Sequence, residues 1–180
     1  MKLKIFRFKK VQSTNSTAIN LIKNSKYDYG MVISETQVKG RGQYGKKWVS
    51  YKGNLFVSFF YKLEPINISF KQLTKINCFL VRQVLSFYYK KRIIFKKPND
   101  LLIEKKKICG ILQEIIINHG KKYLVVGIGI NLKKNPIIKD YPTINLYNLI
   151  NKIVPKKKIE NDLKKIFEDK VNTLIRIRNK

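Results

Sequence analysis

Two apolar stretches on either side of Asn118-His119-Gly120 constrain the fold most strongly. Residues 106–117 (KKICGILQEIII) and 122–132 (KYLVVGIGINL) are rich in β-branched residues, and the segment between them is a turn signal. Two such runs joined so closely read as a long β-hairpin. Further strands are expected over residues 2–8, 30–36 and 54–61, with a short one over 92–97 that Pro98-Asn99-Asp100 breaks. Ser13 or Thr14 can cap a helix running to about Lys23. Phe70, Leu73, Ile76, Leu80, Val84 and Phe87 recur every three to four residues, which predicts a helix from Ser69 to Tyr89. Residues 133–158 read as loop with a helical piece near 145–152. Ile159, Leu163, Ile166, Phe167, Leu174 and Ile175 mark a last amphipathic helix. The pattern implies an α+β domain with one mixed β-sheet and helices packed on it, a single domain over residues 1–180.

Composition narrows the chemistry. No apolar run approaches the roughly 20 residues that span a bilayer, and MKLKIFRFKK has the alternation of a strand, not the apolar core of a signal peptide. A cytoplasmic protein is expected, so Asn15-Ser16-Thr17 carries no meaning as a glycosylation signal. The two cysteines, Cys78 and Cys109, lack metal or redox spacing, and His119 is the only histidine. A Ser-His-Asp triad or a histidine metal site is therefore excluded as an expectation. The chemistry falls to Lys, Arg, Asp, Glu, backbone amides or a cation brought in with a substrate. The chain carries 39 basic against 11 acidic residues, a net charge of +28. That balance suits a nucleic-acid-binding module, but the lysines are spread along the whole chain and accompany abundant Ile, Asn, Tyr and Phe. A solvated lysine surface, drawing weakly on DNA at low salt, is the reading favoured here.

The stretch GRGQYGKKW, Gly40 to Trp48, has the G-x-G-x-x-G spacing of a dinucleotide loop. A dinucleotide fingerprint needs a helix after the loop, whereas KKWVSYKGNLFVSFF has strand character. Glu64 falls where a ribose-binding acid would stand, yet it precedes Pro65 in an apparent loop. The nicotinamide reading fails on that context. Glycines still let a backbone approach an anion, Arg41, Lys46 and Lys47 add charge, and Trp48 adds a flat surface. An anionic ligand with an aromatic base fits that combination.

Six segments, in order, resemble the central catalytic domain of the biotin protein ligase family. They are Ser13-Thr14-Asn15, then Glu35-Thr36-Gln37 leading into GRGQYGKKW, then Gly53-Asn54-Leu55-Phe56. Lys96-Lys97-Pro98-Asn99-Asp100-Leu101 follows, then Lys107-Ile108-Cys109-Gly110-Ile111-Leu112-Gln113-Glu114, and finally Gly127-Ile128-Gly129-Ile130-Asn131. The resemblance implies the biotin/lipoate protein ligase catalytic fold, related to class II aminoacyl-tRNA synthetases. It also implies a two-step reaction. Biotin and ATP, carried with Mg2+, give biotinyl-5′-AMP and pyrophosphate; a lysine of a biotin carboxyl carrier domain then takes the biotinyl group and AMP leaves. No tightly bound cofactor is expected beyond these substrates.

The resemblance also implies roles. Ser13, Thr14, Asn15 and Gln37 would meet the ureido ring of biotin, whose two donors and one acceptor suit hydroxyls and an amide. Gly40, Arg41, Gly42 and Gln43 would form a loop that orders over biotin and the adenylate, with Arg41 as a charged fork. Lys107 would align the biotin carboxylate with the α-phosphate and stabilise charge in the transition state, while Gly110 allows the ligand to approach. The run Lys105-Lys106-Lys107 is ambiguous in itself; the register Lys-x-x-Gly-Ile-Leu selects Lys107. Lys96 would neutralise phosphate. Asp100 would orient or deprotonate the acceptor lysine, though an Asp after Pro-Asn is also an ordinary turn-former. Lys46, Trp48 and Asn131 would flank ATP, Trp48 and Asn131 at the adenine.

Two positions depart from the family pattern. Gln43 stands where Arg is usual, which predicts looser retention of biotinyl-AMP. Lys97 replaces a Trp, which removes a packing contact. The chain leaves no room before Ser13 for a DNA-binding winged helix, so specific DNA binding is not expected. A small SH3-like C-terminal domain is expected to be absent as well. Monomer and homodimer both remain open. Competing functions are a ligase or transferase for lipoate or another acyl acid, a basic nucleic-acid-binding module, and a biotin-binding sensor without transfer.

Overall fold

The computed structural model of the protein describes residues 2–24, 27–63, 68–139 and 141–176. In chain order it contains β1 (Lys4–Val11), α1 (Thr14–Asn24), β2 (Tyr29–Gln37), a 3-10 turn (Gln43–Gly45), β3 (Leu55–Lys62) and α2 (Phe70–Tyr88). There follow β4 (Ile94–Lys96), β5 (Asp100–Ile103), β6 (Lys106–Asn118), β7 (Lys121–Ile130), α3 (Leu146–Ile150) and α4 (Lys156–Arg176). The strands make one seven-stranded sheet in the order β1-β2-β3-β7-β6-β5-β4. β1 and β2 are parallel and joined through α1; the other pairs are antiparallel, so the sheet is mixed as expected.

Strand periodicity divides the side chains between two faces. Leu55, Val57, Phe59 and Tyr61 of β3 join Leu124, Val126, Ile128 and Ile130 of β7 in the main core, which α2 and α4 cover. The rings of Phe59 and Phe167 stack there with centroids 4.0 Å apart. On the opposite face α1 lays Ala18 and Ile22 over Val32, Phe60 and Val125. Along that same face β7 continues with Gly127 and Gly129, which have no side chains to offer. The face is therefore left low where α1 begins, and a cleft opens there.

The β6–β7 hairpin closes through His119 and Gly120, at φ 46° and 72°, with Asn118 opposite Lys121. Positive φ at both loop residues is what a two-residue type I′ turn requires. Ser69 caps α2 in a reciprocal box with Gln72, fixing its start where the periodicity placed it. One element departs from expectation. Pro98 and Asn99 do not end a strand but turn it, pairing Lys96 with Asp100 and starting β5. β5 was concealed because it has four residues and ends at once in Glu104 and Lys105, both at positive φ. Glu64, the candidate ribose acid, and the side chain of Ile175 lie outside the described residues. Among the described residues no helix is long and apolar enough to cross a membrane.

Candidate active site

The cleft has a volume of ≈ 380 Å³, within the usual size of small-molecule sites. Its floor is the bare stretch of β6 and β7. The Trp48 indole lies flat against it. A Cβ on Gly129 would sit 2.4 Å from Trp48 Cε2, and one on Gly110 would sit 2.7 Å from Cζ3. Only glycine permits that contact without moving the ring. At Gly127 the space is taken by Asn15.

One end of the cleft is built by the start of α1. The carbonyl of Ser13 accepts the amide of Thr17 at 2.9 Å, so Ser13 opens the helix. Thr14 donates to Gln37 Oε1 from its amide at 2.8 Å and from its hydroxyl at 3.1 Å. Ser58, buried on β3, lies 2.8 Å from the Thr14 hydroxyl and 2.6 Å from Asn15 Oδ1. Asn15 Nδ2 donates to Glu114 Oε2 at 2.7 Å and toward the Leu112 carbonyl at 3.2 Å. A buried polar cluster with so many mutual bonds holds its rotamers without a ligand.

The glycine loop forms one wall. The amide of Trp48 donates to the Gly40 carbonyl and that of Gly42 to the Lys46 carbonyl, at 2.9 and 2.6 Å. Arg41 Nη2 pairs with Glu114 Oε2 at 2.8 Å. The segment expected to order over ligand is thus already a closed hairpin, held by its own backbone bonds and by Glu114. Gly40 does not line the cleft; it lies behind the loop, where a Cβ would meet the Trp48 carbonyl at 2.5 Å.

The other end holds the charged groups. Lys107 Nζ lies 2.8 Å from Asp100 Oδ1, an ion pair without hydrogen-bond alignment. The ammonium is also flanked by two rings, 5.3 Å from the centre of Trp48 and 5.2 Å from that of Tyr141. Lys96 Nζ lies 4.5 Å from the Tyr141 ring centre. The Tyr141 hydroxyl donates to Asp100 Oδ2. Burial, and then the bond and charge of Asp100, hold the Tyr141 phenol well above its ordinary range, so it remains a donor at neutral pH. Asn131 Nδ2 donates to the Ile144 carbonyl at 3.2 Å, while its Oδ1 is buried without a partner, as is Trp48 Nε1. Among the described residues no cluster of three or more His, Cys, Asp or Glu is placed to hold a metal ion.

Ser13, Thr14, Asn15, Gln37, Arg41, Gly42, Gln43, Lys46, Trp48, Lys96, Asp100, Lys107, Gly110 and Asn131 all line this one cleft. Residues spread from 13 to 131 could not share a wall by accident of spacing alone, and the family that unites them is identifiable. A model of the "Biotin/lipoate A/B protein ligase family" matches residues 7–131. The chain belongs to that family. A bifunctional ligase/repressor BirA of Escherichia coli is 32% identical over 124 residues, covering 68% of this chain and 38% of the relative. The Bacillus subtilis protein of the same name is 31% identical over 134 residues, covering 73% of this chain and 41% of the relative. The chain thus spans well under half the length of these curated relatives. A biotin protein ligase from Aquifex aeolicus, solved in complex with biotin and ATP, superposes with a TM-score of 0.78 at 27% identity, covering 92% of this chain and 69% of that one. The α+β fold with its mixed seven-stranded sheet is therefore that of the ligase family.

Three residues that line the cleft or bond to its lining were not singled out from sequence: Tyr141 lines it, while Glu114 and Ser58 hold Arg41, Thr14 and Asn15 from behind. Glu114 shares a strand face with Gly110 and Leu112, so parity along β6 pointed to it. Ser58 is the lone polar residue among the apolar side chains of LFVSFFY, a signal that a buried partner exists. Tyr141 lies in an irregular segment with no period to read.

Proposed function

We propose that residues 1–180 act as one catalytic domain of an ATP-dependent biotin protein ligase. The observation that carries this reading is the Lys107 ammonium, set in a cleft with Arg41 and Lys96 and paired with an acid that a substrate anion can replace. In the first half-reaction a biotin carboxylate oxygen attacks the α-phosphorus of MgATP. The bond from that phosphorus to the bridging oxygen breaks, and pyrophosphate leaves. Lys107 counters the charge that gathers between carboxylate and phosphate, and Arg41 and Lys96 add to that field. Thr14, Asn15 and Gln37 face the ureido end, where their fixed rotamers favour one orientation. Asn131 Oδ1, buried and unpaired, suits the exocyclic amine of adenine, with Trp48 alongside the base.

In the second half-reaction the ε-amine of a carrier-domain lysine attacks the acyl carbon. The acyl–phosphate bond breaks and AMP leaves. The amine must shed a proton to react, and among the described residues that line the cleft Asp100 is the carboxylate able to accept it. Magnesium enters as part of the nucleotide substrate.

The test mixes the protein with biotin, MgATP and a biotin carboxyl carrier domain, and looks by intact mass for one biotinyl group on a lysine. Transfer of lipoate in preference to biotin would replace the substrate assignment. Absence of either transfer, with no pyrophosphate released, would remove the ligase reading.

A further inference from the structure

Asp100 has two tasks that conflict. In this structure it neutralises Lys107, yet Lys107 is the cation that the first half-reaction needs. When a substrate carboxylate and phosphate arrive, Lys107 must turn toward them. Asp100 then loses the partner of its Oδ1. A carboxylate freed on one side follows its departing cation or rotates into solvent unless something else fixes it.

Tyr141 supplies the other hold. Its hydroxyl donates to Oδ2, the carboxylate oxygen that Lys107 does not use. Its own position does not depend on the lysine side chain. The segment that carries it runs beside β6 and is bonded backbone to backbone at Lys107 itself. The Lys107 amide donates to the Pro142 carbonyl at 2.8 Å, and the Ile144 amide donates to the Lys107 carbonyl at 3.0 Å. Lys107 and Thr143 form a parallel bridge. The Tyr141 ring also lies beside both cations, at 4.5 Å from Lys96 and 5.2 Å from Lys107. Backbone bonds keep the ring in place while the ammonium swings away.

Resting on the ligase reading above, we infer that Tyr141 is a positioning residue for the transfer half-reaction. It holds Asp100 by Oδ2 when Lys107 turns to the adenylate. Oδ1 is then left bare toward the cleft to accept the proton of the incoming amine. Tyr141 itself touches neither bond that breaks. The first half-reaction needs Lys107 but not a fixed Asp100, so the two steps respond differently to loss of the hydroxyl.

The experiment compares Tyr141→Phe with the parent protein in each half-reaction separately. Biotin-dependent ATP–pyrophosphate exchange reads the first. Single-turnover transfer from preformed biotinyl-AMP to the carrier domain reads the second. Tyr141→Phe is expected to leave exchange within about threefold and to slow the transfer rate constant roughly 10- to 100-fold, the worth of a hydrogen bond to a charged group. Carrier KM is expected to stay unchanged. In an Asp100→Asn background the same change is expected to have no further effect, because the group it positions is gone. Equal slowing of both steps, or full additivity with Asp100→Asn, overturns the inference. A contact measurement stands apart from activity. Alkaline difference spectra against Tyr141→Phe are expected to show the Tyr141 phenolate forming above the ordinary 10.0, and nearer to it in Asp100→Asn. If the parent protein forms no adenylate from biotin, the ligase reading falls and the assigned role with it, whatever the spectra show. If it forms and transfers the adenylate normally in Tyr141→Phe, only the Tyr141 inference falls.

Discussion

Lys107 shows how far a single residue can be read from sequence. Three adjacent lysines compete for the role, and only register against Gly110-Ile111-Leu112 separates them. Strict alternation from Gly110 would turn Lys107 away from the cleft. The register between β5 and β6 shifts between Leu101, opposite Cys109, and Leu102, opposite Lys107, and that irregularity brings Lys107 to the cleft beside Gly110. Lys107→Ala is expected to slow biotin-dependent pyrophosphate exchange by at least about 100-fold, the loss typical of a removed transition-state contact. Exchange near the parent rate would refute its role. Gln43 tests retention of the intermediate. A Gln43→Arg variant is expected to slow escape of biotinyl-AMP roughly two- to fivefold, in line with a half-exposed ion pair. Stopped-flow release of the adenylate measures it, and equal rates would dismiss the argument. Tyr141 was not legible. Its place beside Asp100 depends on where an irregular segment runs alongside β6, and neither periodicity nor composition encodes that pairing.

At the scale of elements, the strands were legible wherever alternation or β-branched runs exceeded about five residues. The β6–β7 hairpin, β3 and α2 each stand where their side chains predicted. β5 was missed because four residues are too few to show a period, and its turn uses Glu104 and Lys105 where glycine or asparagine is the usual sign. The functional meaning of the β7 glycines was legible only in part. Sequence showed two gaps in an apolar strand; the structure shows that an indole fills one. Gly129→Ala is expected to displace Trp48 and to weaken ATP binding, with a stability loss of about 1–3 kcal/mol from overpacking. Calorimetric titration with ATP and a urea denaturation curve check the two parts. Unchanged ATP affinity would show that the indole does not shape the nucleotide end. On the far face, Phe167→Ala should cost about 3–5 kcal/mol, since its ring stacks on Phe59 in the core.

For the whole molecule, charge and titration act together. Burial raises the Cys78 thiol from its ordinary 9.0 to about 12, with the negative charge of Asp100 adding to it. Burial likewise lifts the Cys109 thiol and the Tyr61, Tyr88 and Tyr141 phenols. In each case the folded chain keeps a proton that the unfolded chain releases. Stability is therefore full below the unfolded values and falls as pH rises above about 9. Lys156 opposes this trend in part. Burial lowers its pKa despite the nearby charges of Glu160 and Glu35, so its contribution improves as it loses its proton in alkali. The net expectation is a lower urea midpoint at about pH 10.5 than at about pH 8. A midpoint that rises with pH would contradict it. The excess of 39 basic over 11 acidic residues is legible from composition, with the lysines spread along the whole chain.

That charge gives the Lys107–Asp100 pair a second significance. A molecule with a net charge of +28 draws chloride, phosphate and nucleic-acid backbones toward every cation it exposes. Inside the cleft the Lys107 ammonium, which the proposed reaction uses, is already answered by a carboxylate of the protein itself. A stray anion must first break that bond and gains little by doing so. On the proposed ligase reading, a ligand offering a carboxylate and a phosphate together, with a ring system to fill the floor, is expected to displace it. Asp100 is thus a resident competitor, setting a threshold of affinity that casual visitors to so basic a protein do not reach.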